Sequence, residues 1–419
     1  MYHILVNAYA VSPTFGSEPG MGWNWIAHLS KYCKLHVITE GKWQDAIEAE
    51  RKRLPWGENL TMYYNPLSRK IRTICARQGD WRFYWYYARW QRKTLKIAEE
   101  IMQRHPIDLA HQLNMIGFRE PGRLWKLNLP FVWGPIGGIT AFPEEYIYED
   151  GWKTACFFQL KNQITRWQFS CAPIIRRAFL KADALIAATR ENQELIRRRF
   201  HREALLINET GCIPKPRNSS CSENKGFRLL WVGKFDFRKQ LGLALQTVAL
   251  LKDIPDLSLE IVGEGTSRQN MKYREMAARL GIAERCIWHG KMPNGKVKQL
   301  MRDSNLLFFT SVNEGTPHVV LEAVENYLPV LCFRCCGQGD VVDSRIGNAI
   351  PLCPPTQASR EFARQIASFH HDRIRLKDCS ESCKLRQQEL SWDIKARQML
   401  EIYHQAITRK CNHANRDRS

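Results

Sequence analysis

No apolar run in the 419-residue sequence approaches the ~18 residues that a membrane-spanning helix needs. The opening residues, Met1-Tyr-His-Ile-Leu-Val-Asn7, lack the basic head and long apolar stretch of a secretion signal. Together these absences lead to the expectation of a cytoplasmic protein. Acid is the scarce charge: 42 Asp and Glu stand against 62 Lys and Arg, a net charge of +20. That excess calls for something anionic, whether nucleic acid, a phospholipid surface or a phosphorylated ligand. Hydrophobic residues at 44% and charged residues at 25% exclude wholesale disorder. At roughly 100–200 residues per domain, the simplest division is two domains of similar size.

Cysteine is plentiful, but regular cysteine spacing is missing. The 14 cysteines run from Cys33 to Cys411 without a repeated interval. In a large chain without a secretion signal this favours reduced thiols over a disulfide framework. The densest cluster is Cys332, Cys335 and Cys336, with Cys353 beyond. Its Cys-x2-Cys invites a zinc reading. A second ligand pair at zinc-like spacing is absent, since Cys379 and Cys383 are distant and three residues apart. The favoured reading is thiols acting as small buried hydrophobes.

Short apolar runs alternate with helical stretches. Strands are expected at 3–9, 35–39, 60–64, 108–111, 130–133, 184–188 and 204–207, with an amphipathic helix from about Gly22 to Tyr32. The pattern restarts after residue 226, with strands at 228–233, 258–263, 286–290, 305–310 and 329–333. Continuous apolar runs suit buried parallel strands, and strand–helix alternation implies a doubly wound α/β sheet. Residues 211–226, rich in Pro, Ser and Asn, have linker composition. The expected organisation is an N-terminal Rossmann-like domain over 1–210, a linker over 211–226, and a second Rossmann-like domain over 227–385. Ligands of such folds bind beyond the carboxyl ends of the strands, here in a cleft between the two domains.

The second half holds the sharpest motifs. Strand 228–233 ends in Gly233 and runs into Lys234-Phe-Asp-Phe-Arg238-Lys239. A glycine there lets backbone approach a ligand, and the cations can neutralise a diphosphate; a solvated basic loop is the alternative. The next strand ends in Gly263-Glu-Gly265, a weak signal alone. After strand 305–310 comes Ser311-Val-Asn-Glu314-Gly-Thr-Pro-His-Val-Val-Leu-Glu322-Ala. Gly315 permits a tight turn and Pro317 suits the first turn of a helix. A helix from about Thr316 would aim free N–H groups at an anion. Were the whole span helical, Glu314 and Glu322 would lie about 80° apart in azimuth with roughly 12 Å of rise. They are then no close acid/base pair and suit two ends of an extended ligand. The structural alternative is a helix N-terminus with favourable acids.

These residues resemble the retaining glycosyltransferases of family 4, which have the GT-B fold. The Glu-x7-Glu pattern of that family stands here as Glu314 and Glu322, followed by Ala323 and Pro329-Val330. Its Gly-Arg-x(n)-Lys segment is similar to Gly233 through Lys239, with Lys234 where the family has arginine; the charge stays but the bidentate fork is lost. Ile-Val-Gly263-Glu-Gly265 and Trp288-His-Gly290-Lys-Met also fit. In the first half, Pro13-Thr-Phe-Gly16-Ser-Glu-Pro-Gly20-Met-Gly22-Trp resembles the family's Gly-rich loop, and Asp108-Leu-Ala-His111 its Asp-x-x-His segment. Pro130 to Gly138 and Ala182 to Thr189 are similar to members from bacterial surface-polysaccharide pathways. Ser391-Trp392 resembles the start of the final helix, so that 386–419 is expected to return to the first domain and end in a basic tail. The likeness covers roughly residues 1–405.

The resemblance implies sugar transfer from a nucleotide donor with retention, without a metal or other cofactor. It assigns Lys234 and Lys239 to the leaving diphosphate, with Arg238 beside them. Gly233, Gly263, Gly290 and Gly16 are expected at the donor, and the backbone of Gly315, Thr316, Pro317 and His318 at phosphate and sugar hydroxyls. Glu314 is expected at the sugar, Glu322 at the ribose, and His111 near sugar and acceptor. On residue chemistry alone, His111 reads as a satisfied histidine at a strand end. The implied acceptor is a lipid-linked saccharide of a growing surface polysaccharide. Alternatives on the same fold are a nucleotide-sugar epimerase or a glycan phosphorylase. From another class comes a basic nucleic-acid-binding protein, which the motifs disfavour.

Residues 69–96 interleave nine cations with the aromatic residues Trp81, Phe83, Tyr84, Trp85, Tyr86, Tyr87 and Trp90. Such a mixture suits an anionic membrane surface, and the favoured expectation is peripheral attachment to the inner face of the plasma membrane through this segment. Packing into the first domain and stacking on single-stranded nucleic acid are the alternatives.

Overall fold

The computed structural model describes residues 1–75, 82–217 and 226–416. The chain forms two compact units. Residues 1–140, 164–210 and 392–419 make the first; residues 141–163 and 211–391 make the second.

The first unit holds a seven-stranded sheet. Its strands are β1 (His3–Ala8), β2 (Lys34–Thr39), β3 (Leu60–Tyr64), β4 (Leu109–Asn114), β5 (Phe131–Ile136), β6 (Ala184–Ala187) and β7 (Leu205–Leu206), in the order β3-β2-β1-β4-β5-β6-β7. The second unit holds a six-stranded sheet of β8 (Phe227–Val232), β9 (Leu257–Val262), β10 (Cys286–Gly290), β11 (Leu306–Phe309), β12 (Val330–Phe333) and β13 (Gly347–Ile350), in the order β10-β9-β8-β11-β12-β13. Every pairing is parallel. Both sheets are therefore doubly wound, as the strand–helix alternation predicts.

Why apolar runs become these strands is visible in β8. Leu229 and Trp231 join one buried cluster with Leu259, Phe308 and Phe333, while Leu230 joins another with Leu307, Phe309 and Val330. Side chains alternate between the two sides of a strand, so a sheet covered on both faces needs apolar residues at every position. Some helices start where a side chain takes up a free N–H group. Thr189 accepts from the amide of Asn192, and Thr266 with Gln269 forms a full capping box.

Three features depart from the sequence reading. β13 was not expected. The first helix runs over Ser17–Leu29 rather than Gly22 to Tyr32. Residues 141–163 belong to the second unit, not to an unbroken first domain. Phe142 explains the last: its ring stacks 5.3 Å from Phe237, and Phe142, Tyr146 and Phe158 lie in the same core as Trp231 and Phe333. The helix Trp392–Arg416 belongs to the first unit.

The twelve cysteines other than Cys75 and Cys221 are free. Cys332 lies in one core cluster of the second unit, Cys335 and Cys336 in the other. Burial pushes the Cys332 thiol well above its usual range. No helix among the described residues is long and apolar enough to cross a membrane.

Candidate active site

The carboxyl ends of β8, β9 and β10 meet backbone to backbone. The Gly233 amide donates to the Val262 carbonyl at 3.0 Å and the Gly263 amide to the Gly290 carbonyl at 2.8 Å. Gly263 has φ +128°, and a Cβ there would fall 1.8 Å from the Gly233 carbonyl oxygen. Only glycine allows this approach. The three neighbouring strand ends are half-buried there, with the Lys234–Lys239 segment rising from the first.

The end of β11 fixes that segment. The buried Thr310 hydroxyl lies 2.8 Å from the Lys239 carbonyl and 3.1 Å from the Gln240 carbonyl, and it accepts from Trp231 Nε1 at 3.0 Å. The Val312 amide donates to the Arg238 carbonyl at 3.0 Å. Lys239 is thereby aimed at the loop after β11, where its Nζ sits 2.8 Å from Glu314 Oε1. Both side chains are mostly buried, 16% and 14% exposed. The Ser311 hydroxyl lies 2.6 Å from the same oxygen. Arg238 is turned back onto Asp236 at 2.9 Å, and Lys234 is exposed.

The Glu314 loop rests on a floor that the motif did not announce. The Glu314 amide donates to Cys336 Sγ at 3.3 Å, and Gln338 Nε2 donates to the Ser311 carbonyl at 3.1 Å. The Gly337 amide donates to the Gly315 carbonyl at 3.0 Å. A Cβ on Gly337 would lie 2.5 Å from Thr316 Cα. These residues belong to the short helix Cys336–Val341 after β12. The sequence marked the thiols only as a failed zinc pattern, and Gln338 and Thr310 carried no signal.

The helix after the loop begins at His318, with Pro317 as its N-cap. Glu322 lies one turn inside it and accepts from Asn294 Nδ2 at 2.8 Å, with Lys298 Nζ at 4.0 Å. The second unit thus brings together Gly233, Lys234, Arg238, Lys239, Gly263, Gly290 and the stretch Glu314 to Glu322 around the ends of its strands.

Two expected site residues belong to the first unit. Gly16 is exposed and caps the helix Ser17–Leu29. His111 is a correction. Its ring is fully buried, with Nδ1 2.7 Å from the Tyr403 hydroxyl and Nε2 2.7 Å from the Gly134 carbonyl. A carbonyl can only accept, so Nε2 carries the proton and Nδ1 accepts from Tyr403. Burial lowers its pKa to about 4, which keeps the ring neutral. No ring nitrogen is left for a ligand.

The basic aromatic segment divides. Tyr87 and Trp90 are buried, edge-on to Tyr9 at 5.2 and 4.9 Å, so part of the segment is core. Tyr84 and Trp85 are about half exposed, at 50% and 56%. Arg77, Asp80 and Trp81 lie outside the described residues.

Residues 213–386 match the model of the family "Glycosyl transferases group 1". The lipopolysaccharide 1,6-galactosyltransferase of Salmonella typhimurium is 28% identical over 129 residues, 30% of this chain and 34% of that protein. The 2-deoxystreptamine glucosyltransferase of Streptomyces kanamyceticus is 30% identical over 139 residues, 32% of this chain and 34% of that protein. The chain thus spans about a third of the length of the curated relatives it matches. The structure of HepE from Anabaena, solved in complex with UDP, superposes with a TM-score of 0.61 at 14% identity, covering 96% of this chain and 99% of that one. The fold is GT-B, two Rossmann-like units with sheets of seven and six parallel strands.

Proposed function

We propose that the protein is a glycosyltransferase that moves a sugar, with retention and without a metal, from a nucleotide-sugar donor to a lipid-linked saccharide of a surface polysaccharide. The observation that carries this reading is the buried Lys239–Glu314 pair at the strand ends of the second unit. A mostly buried lysine held beside the glycine strand ends is suited to a leaving diphosphate, whose charge it would take over from Glu314. Lys234, exposed on the same segment, and the first turn of the helix from His318 add positive potential from two further directions. Glu314 would accept from sugar hydroxyls, and Glu322 from the ribose. Cations in these places do the electrostatic work that a divalent ion does elsewhere. The lipopolysaccharide galactosyltransferase named above supports a saccharide acceptor, and a lipid-linked acceptor fits peripheral attachment to the inner face of the plasma membrane.

The test is a thermal-shift panel of nucleoside diphosphates and nucleotide sugars on wild type and Lys239→Met. Wild type should be stabilised by at least one nucleotide diphosphate. Lys239→Met leaves the Glu314 carboxylate without its cation, so it should melt somewhat lower, still fold, and lose that shift. Turnover should fall about 10²–10³-fold, as for removal of one charge-stabilising group. A variant that still binds and turns over normally removes the assignment.

A further inference from the structure

Exposed aromatic and aliphatic side chains concentrate on one helix, Trp152–Cys171. Trp152 is 71% exposed, Phe157 61%, Leu160 58%, Ile164 44% and Trp167 63%. At about 100° per residue these five fall within an arc of about 140°. The buried residues of the same helix, Ala155, Phe158, Asn162, Thr165 and Phe169, fall within about 80° on the opposite side. Residues 152–163 of the helix belong to the second unit and 164–171 to the first, and along each stretch one apolar face is covered and the other is not. A solvated helix places polar residues where this one has two tryptophans and a phenylalanine.

Along the helix and the one that follows it the charge has one sign, although four acids, Glu144, Glu145, Glu149 and Asp150, stand just before Trp152. From Trp152 to Lys181 there are six Lys and Arg and no acid. Lys153 lies within the stripe, its Nζ 5.6 Å from the Trp152 ring centroid, and Lys161 lies at its edge. Lysine stems run along apolar surface while their heads stay in water, and tryptophan prefers the level of lipid headgroups. A second copy of this chain would bring its own net charge of +20 and the same six cations along this stretch, which repels.

We propose that the outer face of the helix Trp152–Cys171 lies in the headgroup layer of an anionic phospholipid membrane. The helix lies in the plane of the interface, with the stripe toward the acyl chains and the cations at the phosphates. This deepens the membrane part of the reading above and rests on it for the lipid-linked acceptor. It moves the main seat of attachment from residues 69–96, where Tyr87 and Trp90 are core, to a helix whose rings are free.

The experiment is flotation of the full chain with neutral and with phosphatidylglycerol-containing vesicles at low salt, followed by Phe157→Ser/Trp167→Ser. Wild type should float with anionic vesicles only. The double variant should bind at least tenfold more weakly, with unchanged melting point and an unchanged nucleotide-induced shift. Tyr84→Ser/Trp85→Ser should bind like wild type. Absence of flotation, equal flotation of the double variant, or loss confined to the Tyr84/Trp85 pair would each overturn the proposal. So would concentration-dependent dimerisation abolished by the double variant without any lipid binding. Sugar transfer is not part of the readout, so failure here leaves the nucleotide assignment standing, and the reverse.

Discussion

His111 shows how one residue's surroundings decide its role. Its proton sits on Nε2, and protonating Nδ1 would break the bond from the Tyr403 hydroxyl inside a dry core. The folded protein keeps this ring neutral down to about pH 4, whereas an unfolded histidine takes a proton below about 6.5. Between those values the unfolded chain binds the extra proton, so stability is lost as pH falls through this window. The loss from this ring is about 3 kcal/mol at the acid end, at ~1.36 kcal/mol per pKa unit. Glu18 and Glu120 act in the opposite sense. Burial raises both to about 7, and the folded state then holds protons that the unfolded chain has released. A wild-type pH profile alone would mix the two effects. The difference between wild type and His111→Gln isolates the ring, because the carboxyls cancel. Urea midpoints at pH 7 and pH 4.5 should show wild type losing stability relative to the variant. Parallel profiles would mean that the ring is not held neutral.

At the scale of elements, strands were easy to read and loops were not. A doubly covered parallel strand is a continuous apolar run, and runs such as Leu-Leu-Trp-Val or Leu-Leu-Phe-Phe have no other place to go. β13 escaped because Gly-Asn-Ala-Ile carries two apolar side chains and stands at a sheet edge. The motif gave Lys239, Glu314 and Glu322 because charge and glycine stand out in sequence. It could not give Cys336, Gly337 and Gln338, since hydrogen bonds to backbone across about 20 residues leave no pattern. Those three residues hold the Glu314 loop. Gly337→Ala is the sharpest probe, because its methyl would sit 2.5 Å from Thr316 Cα and 2.6 Å from the Gly315 carbonyl oxygen. Overpacking of this kind costs about 1–3 kcal/mol. The strain is relieved by moving the loop, so nucleotide-induced stabilisation should largely disappear while the melting point falls by only a few degrees. An unchanged nucleotide shift would show that the loop's position does not matter for binding.

At the scale of the whole chain, the first unit is completed by its last segment. The helix Trp392–Arg416 buries Trp392, Ala396, Met399, Ile402, Tyr403 and Ala406 in one cluster with Trp25, Ile26 and Leu29. The Trp392 ring stands edge-on to Trp25 at 5.6 Å, and Asp393 pairs with Lys31 at 2.9 Å. Tyr403 is the partner that holds His111. Four large side chains at about 1.5–3 kcal/mol each contribute on the order of 6–12 kcal/mol, comparable to the net stability of a typical domain. A chain ending at Ser391 should therefore fail to fold its first unit, although it keeps every strand of that sheet. The second unit loses none of its own residues by this cut, and its core and Glu314 loop should survive. Hydrogen exchange on the truncated chain should show β1, β2 and β4 unprotected while β8, β9 and β11 stay protected. Protection of both sheets would mean that the terminal helix is an accessory to the first unit rather than part of its core.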